Sequence, residues 1–203
     1  MKTIITIQHT QSLHHTNGMI GSWTDWDLSE LGVQQAKRIA QKLIPLVKDQ
    51  EWCMYTSDLL RAKHTAEIIA ETVHIQPIIT NTLRERNLGS AVGKSVQWFR
   101  ENMQRQEHSV YDRFFDNAES RKDVWDRLSP FVSELIASKD LNVILISHGD
   151  TLSILNAIWL GLDVDALNRC DLFGLAGGVS FLHLNDDGKR IIRRLSDMSF
   201  IAD

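Results

Sequence analysis

Two spacings of apolar residues alternate along the chain, that of a strand and that of a helix. Lys2 to Gln8 (KTIITIQ) is β-branched and ends in polar residues, which predicts a buried strand running into a loop. From Ser29 onward Ala36, Ile39, Ala40, Leu43, Ile44 and Val47 fall at helical spacing, with Ser29 or Asp27 as cap and Glu30 in the first turn. Trp52 to Thr56 predicts a second short strand. Ser57-Asp58 then offers an N-cap to a helix striped by Ala62, Ala66, Ile69, Ala70 and Val73, and Ile75 to Thr80 reads as a third strand. A later helix carries Val124, Leu128, Phe131, Val132, Leu135 and Ile136 on one face, and Pro130 inside it is expected to bend it or open a local turn. Asn142 to Ile146 (NVILI) is the most strand-like run. It breaks at Ser147-His148-Gly149 into a helix from Leu152 to Leu160, and Val179 to Leu184 and Arg190 to Leu195 close the sequence as strands about an Asp186-Asp187-Gly188 turn.

Strands alternating with helices predict an α/β domain, a three-layer α/β/α sandwich around a mostly parallel sheet. With no repeat, low-complexity segment or linker, one domain over residues 1–203 is expected. The stretch 94–117 has no clean period and reads as a small helical insertion, cap-like over the active site. Its Trp98, Phe99, Tyr111, Phe114 and Phe115 exceed what a polar loop requires. Either they pack the insertion onto the domain or they shape a pocket, with Trp98 and Tyr111 the rings to test.

Composition narrows the function classes. A net charge of −4 without a basic block argues against nucleic acid and anionic membranes as partners. Cys53 and Cys170 lie far apart with no CxxC spacing, which fits a reducing compartment rather than a disulfide framework or zinc site. The start, MKTIITIQHT, has only a four-residue apolar stretch, too short for a signal-peptide core, and no run approaches a membrane span. A cytoplasmic location is expected. The sequence does not fix the oligomeric state, a homodimer being one option.

In open α/β sheets ligands bind beyond the carboxyl ends of the strands. His9 ends the first strand, and His148 ends the NVILI strand in front of a helix whose N–H groups attract anions. Arg61 falls in the first turn after the second strand and Glu85 follows the third. A nucleophile, a cation, an acid and a polar donor therefore share one sheet edge. Each has a plainer reading on its own: a structural histidine, a surface charge on a helix, or a solvated Arg84-Glu85-Arg86 pair.

Several segments resemble the motifs of the histidine phosphatase (phosphoglycerate-mutase-like) superfamily. Gln8-His9-Thr10-Gln11-Ser12 is similar to its Arg-His-Gly-x-Thr/Ser signature. Trp23-Thr24-Asp25, Leu28-Ser29-Glu30-Leu31-Gly32 and Gln35-Ala36 resemble its Gly-Trp-x-Asp, Leu-Thr-x-x-Gly and x-Gln-Ala run. Ser57 to Ala62, with Thr65-Ala66, resembles Ser-x-Leu-x-Arg-Ala-x-x-Thr-Ala. Leu83-Arg84-Glu85 matches Leu-x-Glu, Ser147-His148-Gly149 the second His-Gly, and Ala118-Glu119-Ser120 stands near Gly-Glu-Ser. The order is the family's over about residues 7–151.

The resemblance implies that His9 attacks phosphorus and carries the phosphoryl group, that Arg61 and His148 hold its equatorial oxygens, and that Glu85 protonates the leaving oxygen and then activates water. Gln8, Ser12 and His15 would complete the substrate-binding set, with neither cofactor nor metal. The expected activity is hydrolysis of a small phosphorylated metabolite. A phosphoglycerate-type mutase is an alternative, although only 62 residues separate Glu85 from His148, less than in the mutases that resemble this chain. A weakly active phospho-ligand binder is another.

Departures from the pattern motivate that last alternative. Gln8 stands where the family has Arg and brings no charge. Thr10 replaces the motif glycine, so its backbone must avoid glycine-only conformations. His15 stands at the asparagine that approaches phosphate, and if protonated it would restore part of the missing charge below about pH 6.5. Two decoys are set aside. Gly89 to Ser95 has three residues between its glycines where a Walker A loop needs four. No pair among His9, His14, His15 and His64 has helical ligand spacing with a supporting carboxylate.

Overall fold

Alternation of side chains along the strands decides how the sheet is covered. A computed structural model describes residues 1–138 and 142–202. Its sheet joins β1 (Lys2–Gln8), β2 (Trp52–Ser57), β3 (Pro77–Thr80), β4 (Asn142–Ser147), β5 (Val179–Leu184) and β6 (Arg190–Asp197) in the order β3-β2-β4-β1-β5-β6. The pairs β3-β2, β2-β4 and β4-β1 are parallel, and β5 is antiparallel to both its neighbours.

Ile4, Val143 and Leu145 point to one face, where they meet α5 (Arg121–Ala137) and α6 (Gly149–Leu160). Ile5, Ile7, Ile144 and Ile146 point to the other, against α2 (Glu30–Val47) and α3 (Leu60–Val73). The two faces thus have separate cores, and the expected α/β class with a mostly parallel sheet holds. Burying each such Ile or Leu contributes about 2 kcal/mol. Among the described residues no helix is long and apolar enough to cross a membrane.

Several boundaries differ from the sequence reading for local reasons. Ser57 ends β2 instead of capping α3. Leu59, without a side-chain bond, takes the cap position, and the Ser57 hydroxyl accepts from the Leu59 N–H. Pro130 does not break α5, which runs on to Ala137, and Pro45 likewise lies within α2. The third strand is shorter than expected, and Glu85 follows a 3-10 turn at Asn81–Leu83. The insertion contains one short helix, α4 (Val96–Asn102).

The Leu28–Gly32 segment shows what its motif does physically. The Ser29 hydroxyl accepts from the Gly32 N–H and caps α2. A Cβ at Gly32 would lie 1.9 Å from the Gln11 carbonyl oxygen, so only glycine lets the loop after His9 approach the helix. Gln11 is then tied down twice, its N–H donating to Gln35 Oε1 and its carbonyl accepting from the Ser29 N–H.

Candidate active site

His9, Arg61, Glu85, Gln8 and His15 all line one cleft of about 420 Å³ at the carboxyl ends of the parallel strands. The His9 N–H donates to Ser147 O at 2.9 Å, tying the ends of β1 and β4 together. The His9 ring is 2% exposed. Its Nδ1 lies 2.9 Å from the Thr10 carbonyl, an acceptor only, so Nδ1 carries the proton. Nε2 is left with its lone pair, which accepts from Arg61 Nε–H at 3.1 Å. Burial and the Arg61 charge hold the imidazolium form well below its ordinary pKa, so His9 is neutral at pH 7. Thr10 has no positive φ, and its N–H donates to the Thr65 hydroxyl.

Arg61 reaches this place from the first turn of α3 and is 1% exposed. Nη1 donates to Thr24 O at 2.9 Å and Nη2 to Ser22 O at 2.8 Å, which fixes the plane of the guanidinium. Burial lowers its pKa to about 10, with Glu85 and Asp25 opposing, so it stays charged at neutral pH. Ser22 holds φ at 35°, an uncommon conformation that costs about 1 kcal/mol and that the carbonyl–guanidinium bond and two bonds of the Ser22 hydroxyl hold in place.

Glu85 Oε1 accepts from the Arg86 N–H at 2.9 Å and the Thr151 N–H at 3.3 Å. Burial, then the nearby Asp150 carboxylate, push its pKa above the usual carboxylate range. His148, 0% exposed, stands beside His9 with ring centroids 5.1 Å apart. Its Nε2 meets the Ser57 hydroxyl at 2.8 Å, while Nδ1 is buried without a partner. Burial and Arg61 lower its pKa as well. If Ser57 donates to Nε2, Nδ1–H is an unpaired donor one ring away from His9.

Gln8 makes no side-chain hydrogen bond among the described residues. Its Oε1 is buried and unpartnered, and an added Cβ at Gly149 would stand 3.3 Å from its Nε2. The backbone is anchored, its N–H donating to Gly178 O and its carbonyl accepting from Gly177 N–H.

Two sequence expectations require correction. Ser12 is 0% exposed and outside the cleft wall. Its N–H donates to His15 Nδ1 at 3.1 Å and its hydroxyl meets His14 Nδ1 at 3.0 Å, so it orients two rings instead of touching a ligand. His15 does not supply a charge. Burial and Arg61 lower its pKa, and with Nδ1 accepting from Ser12 the proton of the neutral ring sits on Nε2. It stacks on His9 at 5.5 Å, within the short helix α1 (His14–Asn17).

His14, which sequence reasoning weighed only as a metal ligand, lines the cleft beside them, its pKa lowered to about 3 by burial, by His15 and by Arg61. The ring nitrogens of His9, His14 and His15 lie within 4.8 Å of one another and could in principle offer ligands to a soft cation. The surroundings oppose it: Arg61 donates into His9 Nε2, Ser12 occupies His15 Nδ1, and among the described residues no carboxylate completes the set.

Also missed were Asp150, Arg86, Leu88 and Phe173. Of the insertion, Phe99 and Phe114 line the cleft. Trp98 stacks on Phe115 in the same apolar cluster, behind the cleft-lining rings and outside the wall itself, and Tyr111 is exposed. The doubled His14-His15 and the aromatics of the insertion were the sequence signals among these, since a solitary Phe173 in a loop or Asp150 in a helix turn has no period of its own.

Comparison with known proteins gives this geometry a lineage. Residues 4–197 match the sequence profile of the histidine phosphatase superfamily (branch 1). The chain is 28% identical to a phosphoglycerate mutase of Schizosaccharomyces pombe, over 96% of this chain and 95% of that one. It is 30% identical to a metal-independent phosphoserine phosphatase of Arabidopsis thaliana, over 98% and 83%. Among solved structures, Bacillus stearothermophilus YhfR superposes with a TM-score of 0.84 at 24% identity, covering 99% of this chain and 100% of that one.

Proposed function

This chain belongs to the histidine phosphatase superfamily, and on that premise we propose that it hydrolyses a small phosphomonoester by way of a phosphohistidine on His9. The observation that carries the reading is the state of His9: neutral, proton fixed on Nδ1, lone pair on Nε2, and a guanidinium against that lone pair. Nε2 attacks phosphorus as the bond to the ester oxygen breaks. Arg61 turns its Nε–H from the ring to a phosphoryl oxygen, and Gln8 Nε2, His15 Nε2–H and His148 Nδ1–H donate to the others.

Glu85 gives its proton to the departing alkoxide. The resulting carboxylate takes a proton from the water that attacks the phosphohistidine, releasing phosphate and restoring both groups. The competent state needs His9 neutral and Glu85 protonated together. At their ordinary pKa values the two conditions hardly overlap, because a carboxyl loses its proton before an imidazole does. Burial moves His9 down and Glu85 up, and the overlap widens. A mutase relative is matched over 95% of its own length, so chain length does not separate the two activities and the choice of hydrolysis over transfer rests on the product released.

Acid-quenching a reaction with labelled substrate is expected to leave an acid-labile, base-stable phosphoryl group on the peptide containing His9. His9→Ala is expected to lower kcat by roughly 10³ or more. Label on another residue, or near-normal activity of the variant, would sink the reading. Release of an isomeric phosphate ester in place of inorganic phosphate would select the mutase.

A further inference from the structure

Beyond the phosphoryl-binding floor, the cleft has charges that are already spent on one another. Arg86 is 5% exposed. Glu107 clamps it with bonds of 2.8 and 3.1 Å, Asp150 stands 3.4 Å away, and its Nε–H donates to Glu119 O at 2.9 Å. Asp150 is shared with Arg121 at 2.9 Å, and Arg121 also meets Asp171 at 3.2 Å. Two guanidiniums thus face three carboxylates, Glu107, Asp150 and Asp171. Arg61, the other arginine of the cleft wall, is committed to His9 and two carbonyls. Among the described residues, a second anionic group on a substrate would find no guanidinium at the cleft wall without partners already in place and would meet the Asp150 carboxylate there.

The rest of the wall is apolar. Leu88, Phe99, Phe114 and Phe173 face the cleft. Phe99 and Phe114 meet edge to face at 5.0 Å, and the Arg86 guanidinium lies 5.1 Å from the Phe114 ring centroid. Phe173 is 54% exposed. It lies so close to the start of α6 that a Cβ at Gly149 would come within 2.7 Å of it. A phenyl group left half in water beside a reactive centre gains by burial against another apolar surface.

We propose that the alcohol part of the substrate is uncharged and carries an apolar ring, held against Phe99, Phe114 and Phe173, and that esters with a carboxylate beside the phosphate are selected against. This inference rests on the hydrolase reading above and names the substrate class of that site. It sets the chain apart from relatives named for phosphoglycerate and phosphoserine, both of which bear a carboxylate.

The test compares 2-phenylethyl phosphate, glycerol 3-phosphate and 3-phosphoglycerate, all esters of alkyl alcohols, so that leaving-group reactivity does not decide the ranking. The phenylethyl ester is expected to have a kcat/KM at least roughly tenfold above glycerol 3-phosphate, with 3-phosphoglycerate lowest. Phe114→Ala is expected to remove most of the first advantage and leave glycerol 3-phosphate within about twofold. Glu107→Gln, which removes the clamping carboxylate and leaves Arg86 to Asp150 and the Glu119 carbonyl, is expected to raise 3-phosphoglycerate by roughly tenfold and to leave the phenylethyl ester nearly unchanged.

Equal or better use of 3-phosphoglycerate by the wild type overturns the substrate class, as does an equal loss on all three esters in Phe114→Ala. Binding of the same esters to His9→Ala by calorimetry keeps the two failures apart. Preference for the phenylethyl ester in binding, with no turnover by the wild type, overturns the hydrolase and retains the class. Turnover with preference for the glycerate does the reverse.

Discussion

The floor and the outer wall of the cleft are built on different principles. On the floor, His9 follows a strand end, Arg61 stands in the first turn of a helix and Glu85 follows a 3-10 turn, and each has its partners already in place: Thr10 O for His9, Ser22 O and Thr24 O for Arg61, Arg86 N–H for Glu85. The outer wall comes from loops and the insertion, and its members touch one another more than they touch the sheet. A preorganised floor reduces the reorganisation needed when charge moves between ester oxygen and phosphoryl oxygens. A wall of half-buried rings leaves the choice of alcohol open to change without disturbing that floor. If the two are separable in this way, floor substitutions will change kcat on every ester and wall substitutions will change the ranking of esters.

The strongest attack on that contrast is at Arg61. Arg61→Leu removes the cation beside His9 and leaves the carbonyls of Ser22 and Thr24 without their donor. A loss of roughly 10³ in kcat is expected on all substrates, because a preorganised contact to the transferring group disappears. A loss confined to one class of alcohol would show that floor and wall are not separable.

Glu85→Gln comes next. Hydrolysis of alkyl esters is expected to fall by roughly 10²–10⁴ and that of aryl phosphates far less, since a good leaving group needs little protonation. Equal losses would remove Glu85 from the acid role. The pH profile sharpens the point. Glu85 must be protonated and its pKa is raised, so kcat for alkyl esters falls as pH rises through that raised value. Asp150 is one cause of the elevation, so Asp150→Asn is expected to move the falling limb to lower pH. An unmoved limb would assign it to another group.

The smallest effect is expected at Gln8. Gln8→Arg adds charge where the side chain now makes no bond, and about a tenfold tighter binding of vanadate with a comparable rise in kcat is expected. No change in either would mean that residue 8 does not face the phosphoryl group. The lowered pKa of His15 adds a check: the wild-type pH profile is expected to have no limb that His15→Asn removes, and such a limb would return a charge to His15.

The comparison also separates what was written locally from what was not. Strand β1 is legible to the residue because burial on both faces leaves one short β-branched run, and α2 because its cap and stripe lie within one segment. His9, Arg61 and Glu85 could be placed at one edge because a parallel sheet puts every strand's carboxyl end on the same side. Ser12 and His15 show where such reasoning stops. Both follow the nucleophile in sequence, but whether a side chain faces a ligand or a neighbour depends on contacts between residues two and three apart where the loop enters the short helix α1.

By itself, then, the sequence determined the α/β order, the sheet edge and the residue types available for phosphoryl chemistry, since these follow from periodicity and strand direction. Tertiary structure decided the rest. Protonation states depend on burial: the lowered pKa of His9 and raised pKa of Glu85 arise from removing each from water, and no residue type carries that information. The outer wall depends on which loops meet. Phe99, Phe114 and Phe173 are far apart along the chain, and Arg86 is neutralised by Glu107 and Asp150 only because folding brings them within hydrogen-bond reach.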